Sequence, residues 1–309
     1  MIENRQQPQN CRSRFSGAPE RVLVNWFWLV GHMLKWSATR FILKINPIRI
    51  MATALITGAS SGIGEVFAWE LAQRNYDLVL VARSEAKLQE LAEKLMQAYA
   101  IHAEIIVQDL SNPGAGTTVF EAVSQKGWTV DMLINNAGFG DYGSFSDRPL
   151  PKIMEMIQLN IATLVELTHL FLTPMRQRRS GTIINVASIA GFLPLPYMSV
   201  YAATKAFVLS FSSALWAENR ADGIRIQALC PGPTSTQFFQ VAEFPATMNG
   251  NGGNMVTAAE VVKESLKGLE TNKSNIVTGG LKTQIIVNLQ RFFPRDFLLS
   301  LMESQFKAK

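Results

Sequence analysis

The chain has 309 residues, 48% of them hydrophobic, and a formal net charge of +5. This length is enough to bury the core of one α/β domain with extensions at its ends. Charged residues make up only 17% of the chain and form no long basic run, which argues against a nucleic-acid partner. Cys11 and Cys230 are far apart, and the three histidines lie in unrelated contexts. We therefore expect no metal site, no disulfide framework and a reducing, cytoplasmic setting.

The N-terminal extension, residues 1–50, differs in pattern from the rest of the chain. Val22 to Leu34 is apolar and free of formal charge, but it is shorter than the ~20 residues that cross a bilayer. Nearby tryptophans and basic residues suit a helix at a membrane interface, and a signal-peptide core has a similar length. Met51 opens the first predicted strand, so translation can also start there. A dispensable extension, a peripheral membrane anchor and a transmembrane anchor or signal all stay open.

From residue 51 to residue 280, short apolar runs alternate with longer segments of helical periodicity. This alternation predicts a doubly wound α/β domain, with a parallel sheet of about seven strands and helices on both faces. The predicted strands are Thr53 to Thr57, Asp77 to Ala82, Glu104 to Gln108, Met132 to Asn135, Gly181 to Val186, Arg225 to Leu229 and Asn275 to Val277. The predicted helices are Gly62 to Arg74, Glu85 to Tyr99, Gly116 to Lys126, Leu150 to Arg178, Tyr197 to Glu218 and Ala258 to Glu270.

A glycine-rich turn follows the first predicted strand. Gly58, Gly62 and Gly64 have the spacing G-x-x-x-G-x-G immediately before an amphipathic helix. Glycines let the backbone turn sharply and approach a pyrophosphate, and the free amides and positive dipole end of the helix favour an anion. The position after the first strand favours a dinucleotide site over a merely tight turn. Serines here can cap the helix or contact phosphate oxygens, so the expected contacts are Gly58, Ser60, Ser61, Gly62, Ile63 and Gly64.

The end of the second strand bears on the choice of dinucleotide. An NAD enzyme usually presents a carboxylate to the ribose hydroxyls at this point, but here Arg83 follows Ala82. A guanidinium can pair with a 2′-phosphate, so NADP(H) is favoured over NAD(H). An exposed helix-start arginine with no ligand is the alternative. Asp109, after the third strand, could accept a hydrogen bond from the adenine amino group or simply cap a loop.

A set of polar residues follows on later elements. Ser188 comes after the fifth strand, and Tyr201 and Lys205 are four residues apart, which puts them on one helical face. Hydride delivery to a carbonyl leaves an alkoxide, so a proton must arrive as charge develops on oxygen. An ammonium at Lys205 would stabilise the Tyr201 phenolate and lower its pKa, and Ser188 would hold the substrate oxygen. Asn160, in an otherwise apolar helix, could position a water behind Lys205.

These features together resemble the classical short-chain dehydrogenase/reductase family: the glycine turn, Asn135 to Gly138 (NNAG), Asn160, Ser188, the Tyr201-x-x-x-Lys205 pair and the turn from Pro231 to Thr234. The resemblance covers residues 52–280 and implies a Rossmann-type fold and NADP(H)-dependent interconversion of a carbonyl and an alcohol. It implies a catalytic tetrad of Asn160, Ser188, Tyr201 and Lys205. Further implied cofactor contacts are Arg83 at the 2′-phosphate, Asp109 and Leu110 at the adenine, Asn136 at the ribose, and Ala137, Gly138, Pro231, Gly232 and Thr234. Tyr201 and Lys205 are expected to contact the cofactor as well, Lys205 by a hydrogen bond to the nicotinamide ribose.

The substrate is predicted to be apolar. We expect Phe192 and Tyr197 to line its site beside Ser188 and Tyr201, with a mobile substrate loop over residues 234–256. Phe139, Tyr142 and Phe238 also indicate a fairly apolar pocket. The different class that stays open is a non-catalytic NADP(H)-binding sensor or scaffold, although a sensor has no need to keep Ser188, Tyr201 and Lys205 together.

The C-terminal tail, residues 281–309, is largely apolar with basic residues between the apolar ones. It is expected to pack on the core or on another subunit, and association with a membrane surface is the alternative. The family resemblance implies a homodimer or homotetramer. The partners expected from the sequence are therefore a small carbonyl or alcohol, further copies of the chain and, through either end of the chain, a membrane surface.

Overall fold

The computed structural model describes residues 51–245 and 255–307. The predicted N-terminal extension lies outside these residues, as do the centre of the predicted substrate loop, residues 246–254, and the last two residues of the tail. The described part contains a seven-stranded sheet with helices on both faces. The predicted doubly wound, Rossmann-type α/β fold is therefore confirmed.

The main sheet is parallel, with the order β3-β2-β1-β4-β5-β6-β9. Its central strands are buried on both faces, and a parallel sheet needs the continuous apolar runs that the sequence contains. The winding reverses between β1 and β4, which opens a ligand crevice at the carboxyl ends of these strands. The strands are β1 (Thr53–Thr57), β2 (Asp77–Ala82), β3 (Ala103–Val107), β4 (Val130–Asn135), β5 (Gly181–Val186), β6 (Ile224–Cys230), β7 (Thr234–Ser235), β8 (Val256–Thr257) and β9 (Asn275–Val277), of which β7 and β8 form a separate pair.

Two layers of helices cover the sheet. Helices α1, α2 and α8 pack on one face, and α3, α5 and α6 pack on the other. The helices are α1 (Gly62–Gln73), α2 (Glu85–Ala98), α3 (Ala115–Gln125), α4 (Leu150–Ile157), α5 (Leu164–Arg178), α6 (Ser199–Asn219), α7 (Phe238–Val241), α8 (Ala258–Glu270), α9 (Gly280–Asn288) and α10 (Arg295–Phe306).

The helical stretch over residues 150–178, predicted as regular, contains a π-helical turn at Gln158–Thr163. Such insertions are frequent at functional sites, and Asn160 lies on this one. The whole stretch is long and apolar enough to cross a membrane, with a mean hydropathy of 1.3 in its most apolar window. Its buried residues Leu167 and Phe171, however, pack on the sheet beside α3.

The C-terminal tail forms α9 and α10. Leu298 and Met302 of α10 are buried against Leu193, so one side of the helix is part of the domain. On the other side, Phe293 and Phe297 stack on each other with ring centroids 5.6 Å apart and stay exposed. The tail thus packs on the domain core, which is one of its two predicted roles, and leaves a partly apolar outer side.

Candidate active site

The glycine turn between β1 and α1 forms a tight cradle. Gly58 has a φ of +65°, and a Cβ on Gly64 would collide with the carbonyl oxygen of Gly58. The Asn136 side-chain amide donates to the carbonyl oxygens of Thr57, at 2.9 Å, and Gly58, at 3.2 Å. These contacts explain why glycine is required here, because a side chain would fill the space close to the backbone.

The start of α1 has the features of an anion site. Ser61 precedes the first helical residue in an extended conformation, and its side chain makes no capping hydrogen bond. Of the two roles left open for the serines, helix cap or phosphate contact, Ser61 does not form the cap. The first amides of the helix keep their donors for a ligand, and the positive end of the helix dipole adds to the attraction. The turn therefore fits the diphosphate of a dinucleotide.

Arg83 and Asp109 follow the neighbouring strands β2 and β3. Arg83 is exposed. The Asp109 carboxylate accepts hydrogen bonds from the backbone amide, at 3.0 Å, and the hydroxyl, at 2.7 Å, of Ser111. These bonds lower the pKa of Asp109, and the charge of Arg83 adds to the lowering. Asp109 therefore has the structural role that the sequence left open, while Arg83 remains accessible to an anion.

Leu110 and Asn136, two expected cofactor contacts, are tied to the protein. Leu110 is buried, and its carbonyl oxygen accepts a hydrogen bond of 2.8 Å from the Thr163 hydroxyl. The Asn136 amide group binds the glycine turn as described, so it holds the turn in shape. Any contact of Asn136 with a ribose would have to use other atoms of this residue.

Tyr201, Ser188 and Lys205 come together next to the carboxyl end of β5. Tyr201 and Lys205 lie on α6 and are only 8% and 5% exposed. Lys205 Nζ donates to the carbonyl oxygen of Val186 at 2.8 Å and lies 5.8 Å from the centroid of the Tyr201 ring. Ser188 begins a short 3-10 turn, where its Oγ accepts from the amide of Ala190.

Burial dominates the ionisation of this group. It raises the pKa of Tyr201 to about 12, although the hydrogen bond with Ser188 acts in the opposite direction. It also lowers the pKa of Lys205 to about 8. Burial and the Ser188 hydrogen bond account for this pKa of Tyr201, so the lowering expected from Lys205 stays a prediction.

Asn160 holds the loop after β4 in place. Its Nδ2 donates to the carbonyl oxygen of Phe139 at 3.0 Å and to the Thr204 hydroxyl at 3.1 Å, and its Oδ1 accepts from the amide of Phe139. A Cβ on Gly138 would lie 2.8 Å from Asn160 Oδ1 and 3.5 Å from Lys205 Nζ. Asn160, Gly138 and Lys205 are therefore neighbours, as the predicted grouping requires.

The turn from Pro231 to Thr234 lies beside Ser188. The amide of Ile189 donates to the carbonyl oxygen of Pro231 at 3.1 Å. The Thr234 hydroxyl donates to the carbonyl oxygen of Gly232 at 2.8 Å. These bonds fix the turn at the same edge of the sheet as the glycine cradle.

An aromatic cluster covers Tyr201. The ring of Phe238, on α7, lies 5.2 Å from that of Tyr201, and Tyr142 lies 6.1 Å from Tyr197. The predicted substrate residue Tyr197 belongs to this cluster, but Phe192 packs elsewhere, against Val208 and Cys230. The sequence missed several members because they are ordinary apolar residues far apart in the chain, namely Met156, Leu195, Met198, Phe244 and Phe306.

A glycine cradle for a diphosphate beside a buried Ser-Tyr-Lys group defines a dinucleotide-dependent oxidoreductase. The family profile described as short chain dehydrogenase matches residues 52–244. The chain belongs to the short-chain dehydrogenase family.

Three known proteins show how the chain relates to this family. It is 34% identical to a very-long-chain 3-oxoacyl-CoA reductase of Anas platyrhynchos, over 70% of each chain. It is 36% identical to the 17-beta-hydroxysteroid dehydrogenase type 3 of Mus musculus, over 69% of this chain and 68% of that protein. A solved short-chain dehydrogenase from Sphingobium yanoikuyae in complex with NADPH superimposes with a TM-score of 0.70 and 31% identity, covering 79% of this chain and 97% of that one.

Proposed function

We propose that this protein is an NADP(H)-dependent oxidoreductase that interconverts an apolar ketone and its alcohol. The observation that carries the proposal is the contact of Tyr201 with Ser188 and its closeness to Lys205, at the sheet edge that also bears the glycine cradle. The similar enzymes named above reduce or oxidise 3-oxoacyl-CoA and hydroxysteroid groups by name, which supports the reaction class and an apolar substrate.

The residues present fit an NADP(H) molecule. The cradle of Gly58, Gly62 and Gly64 would hold the diphosphate, because only glycine leaves space for it there. Arg83 would pair with the 2′-phosphate, and Lys205 with the nicotinamide ribose. Reduced nicotinamide, when bound, supplies the hydride for the carbonyl carbon. The Sphingobium structure, which contains NADPH, supports the same choice of cofactor.

Tyr201 is proposed to donate and accept the proton of the reaction. With a pKa of about 12 its phenol is protonated at neutral pH, so it can donate a proton to the substrate oxygen during reduction. Ser188 holds the same oxygen by a hydrogen bond. In the oxidation direction Tyr201 must accept the proton as a phenolate, and the Lys205 ammonium lowers the cost of that charge. Asn160 holds the Phe139 backbone and, through its hydrogen bond to Thr204, the part of α6 that carries Lys205.

The test replaces Tyr201 by Phe. We expect NADPH to bind with an unchanged Kd while kcat for ketone reduction falls by about 10²- to 10⁴-fold, the range that general acid catalysis supplies. The measurements are NADPH fluorescence titration and NADPH oxidation with a panel of ketones and aldehydes. Retained turnover in Tyr201→Phe would remove Tyr201 from its role. If the wild-type protein binds NADPH but turns over no carbonyl in the panel, the result would favour the sensor or scaffold instead.

A further inference from the structure

A groove of about 380 Å³ lies between α10 and two loops beside the aromatic cluster. Its apolar lining includes Phe145, Tyr197 and Leu299, and its polar lining includes Ser199, Ser300 and Glu303. Pockets for small molecules have volumes of about 300–1,000 Å³ and mix apolar walls with a few polar groups in this way. The proposed reaction does not use any of these residues except Tyr197.

The groove borders the aromatic cluster that covers the proposed reacting group. Tyr197 lines it and also lies in the cluster that contains Tyr201. Its second wall, α10, is attached to the same cluster, because the Tyr142 hydroxyl donates to the carbonyl oxygen of Phe306 at 2.5 Å. Phe306 itself packs among the residues around Tyr201. The groove and the cluster around Tyr201 therefore share Tyr197 and α10 as neighbouring walls.

The charges near the groove select for an uncharged group. Its lining residues include one acidic side chain, Glu303, and no basic one. The basic residues closest in sequence to Phe145, Arg148 and Lys152, are both paired with Asp141 and Glu243. A phosphate or carboxylate placed here would meet the Glu303 carboxyl group and no basic residue of the lining, and this is unfavourable when water is partly excluded.

We infer that the groove holds the part of the substrate distal to its carbonyl, and that this part is bulky, neutral and mainly apolar. This inference rests on the proposed function, and it makes α10, outside the residues that match the family profile, a specificity-determining element. The hydroxyls of Ser199 and Ser300 offer hydrogen bonds to one polar group at the far end of such a molecule. A polycyclic ketone has the required size and charge.

The experiment narrows the groove without touching the reacting residues. Leu299→Trp adds bulk to its wall, and Leu301→Trp is the matched control, because Leu301 is two positions along α10 and is not part of the lining. NADPH oxidation is followed with cyclohexanone and with a neutral 17-ketosteroid. We expect Leu299→Trp to lower kcat/KM for the steroid at least about tenfold and for cyclohexanone less than about twofold. Leu301→Trp should change neither.

A second variant and a binding measurement keep the outcome clear. Ser300→Trp projects into the same groove from an exposed position, so it tests the idea if Leu299→Trp does not fold. Steroid binding is measured by thermal shift in the presence of NADP⁺. Equal steroid binding in the unvaried protein and the groove variant, or equal losses in Leu299→Trp and Leu301→Trp, would overturn the inference. Weaker binding in the groove variant alone, without turnover in any protein, would support the groove while the proposed function fails.

A separate experiment tests the preference of the groove for an uncharged group. A long-chain 3-oxoacyl-CoA serves as the anionic probe, and we expect its kcat/KM to be lower than that of the neutral 17-ketosteroid. A clear preference for the acyl-CoA, reduced by Leu299→Trp, would overturn the assignment of a neutral occupant.

Discussion

Arg83 is the residue on which the choice between the two dinucleotides depends. It is exposed after β2, at the position where a carboxylate would favour NAD(H). We predict that Arg83→Asp raises the Kd for NADPH about 10- to 100-fold and leaves the Kd for NADH almost unchanged, because a charge-assisted bond is lost and repulsion is added. The measurement is fluorescence titration with both cofactors.

The control is Arg225→Asp. Arg225 is also exposed but lies near the amino end of β6, on the opposite edge of the sheet. This variant should bind both cofactors as the unvaried protein does. Equal weakening of NADPH and NADH in Arg83→Asp would show that Arg83 does not distinguish them.

The burial of Lys205 leads to a second prediction at the residue scale, on how the free energy of unfolding depends on pH. Burial lowers its pKa from 10.5 to about 8, so between these values the unfolded chain binds more protons than the folded one. The free energy of unfolding therefore increases with rising pH across this window, and Lys205 contributes up to about 3 kcal/mol to the increase. Below pH 8 the folded protein carries the full cost of the buried ammonium.

The prediction is tested by urea unfolding of the unvaried protein and Lys205→Met over this pH range. We expect the variant to have its largest relative stability below pH 8, and this advantage to shrink toward pH 10.5. Tyr201 and Cys230 have raised pKa values of about 12 and act in the opposite direction at high pH. Both are also present in the variant, where loss of the Lys205 charge raises the pKa of Cys230 further and so strengthens the expected trend. The exposed Lys263→Met should show no such trend, and a flat difference for Lys205→Met would contradict the prediction.

At the scale of elements, an ion-pair network joins the loop after β4, helix α4 and the end of α7. The carboxylate of Asp141 is only 3% exposed and pairs with Arg148 and with Lys152, and Glu243 pairs with both cations from the surface. Burial raises the pKa of Asp141, but its hydrogen bonds with Arg148 and Lys152 outweigh this and hold it below the usual 3.8. The network therefore stabilises the fold above that pH and loses this contribution as the pH falls through the lowered pKa.

The two carboxylates of this network form a matched pair for mutation. We predict that Asp141→Asn lowers the free energy of unfolding by about 2–3 kcal/mol, because two partly buried cations lose their inner partner. Glu243→Gln should cost less than about 1 kcal/mol, since Glu243 is 56% exposed and its ion pairs are screened by water. Urea unfolding at neutral pH measures both. Similar losses in the two variants would mean that burial does not set the strength of this network.

The helical stretch over residues 150–178 shows where prediction from local sequence patterns fails. The strands of the main sheet were predictable because a buried parallel strand is a short apolar run between polar turns. The π-helical turn at Gln158–Thr163 was not, and its residue Asn160 bonds to Phe139 and Thr204 outside its own helix. These partners lie on other elements, and no helical periodicity records them.

At the scale of the whole molecule, cofactor binding should be visible as stability. A ligand that binds only the folded chain at 100 times its Kd adds about 2.7 kcal/mol to the free energy of unfolding. We therefore predict that saturating NADPH raises the melting temperature, and that NADH at the same concentration raises it less because it lacks the 2′-phosphate. Differential scanning fluorimetry measures both. Tyr201→Phe should keep the full NADPH shift, and an equal shift with the two cofactors would contradict the assigned preference.

The sequence by itself determined the class of fold, the order of the strands along the chain, and the motifs of the family. These depend on residue spacing and local backbone preference, which are properties of neighbouring residues. Gly58, Gly62 and Gly64, and the spacing of Tyr201 and Lys205, were recognisable for this reason.

Only the tertiary structure decided which residues line the site and how its ionisable groups are shifted. It placed Phe192 outside the Tyr201 cluster and brought in Phe306 instead, from the far end of the chain. It also gave Tyr201 a raised pKa and Lys205 a lowered one, because desolvation depends on everything packed around a group. Contacts between residues more than a hundred positions apart, such as Tyr142 with Phe306, arise from the packing of whole elements and leave no local pattern in the sequence.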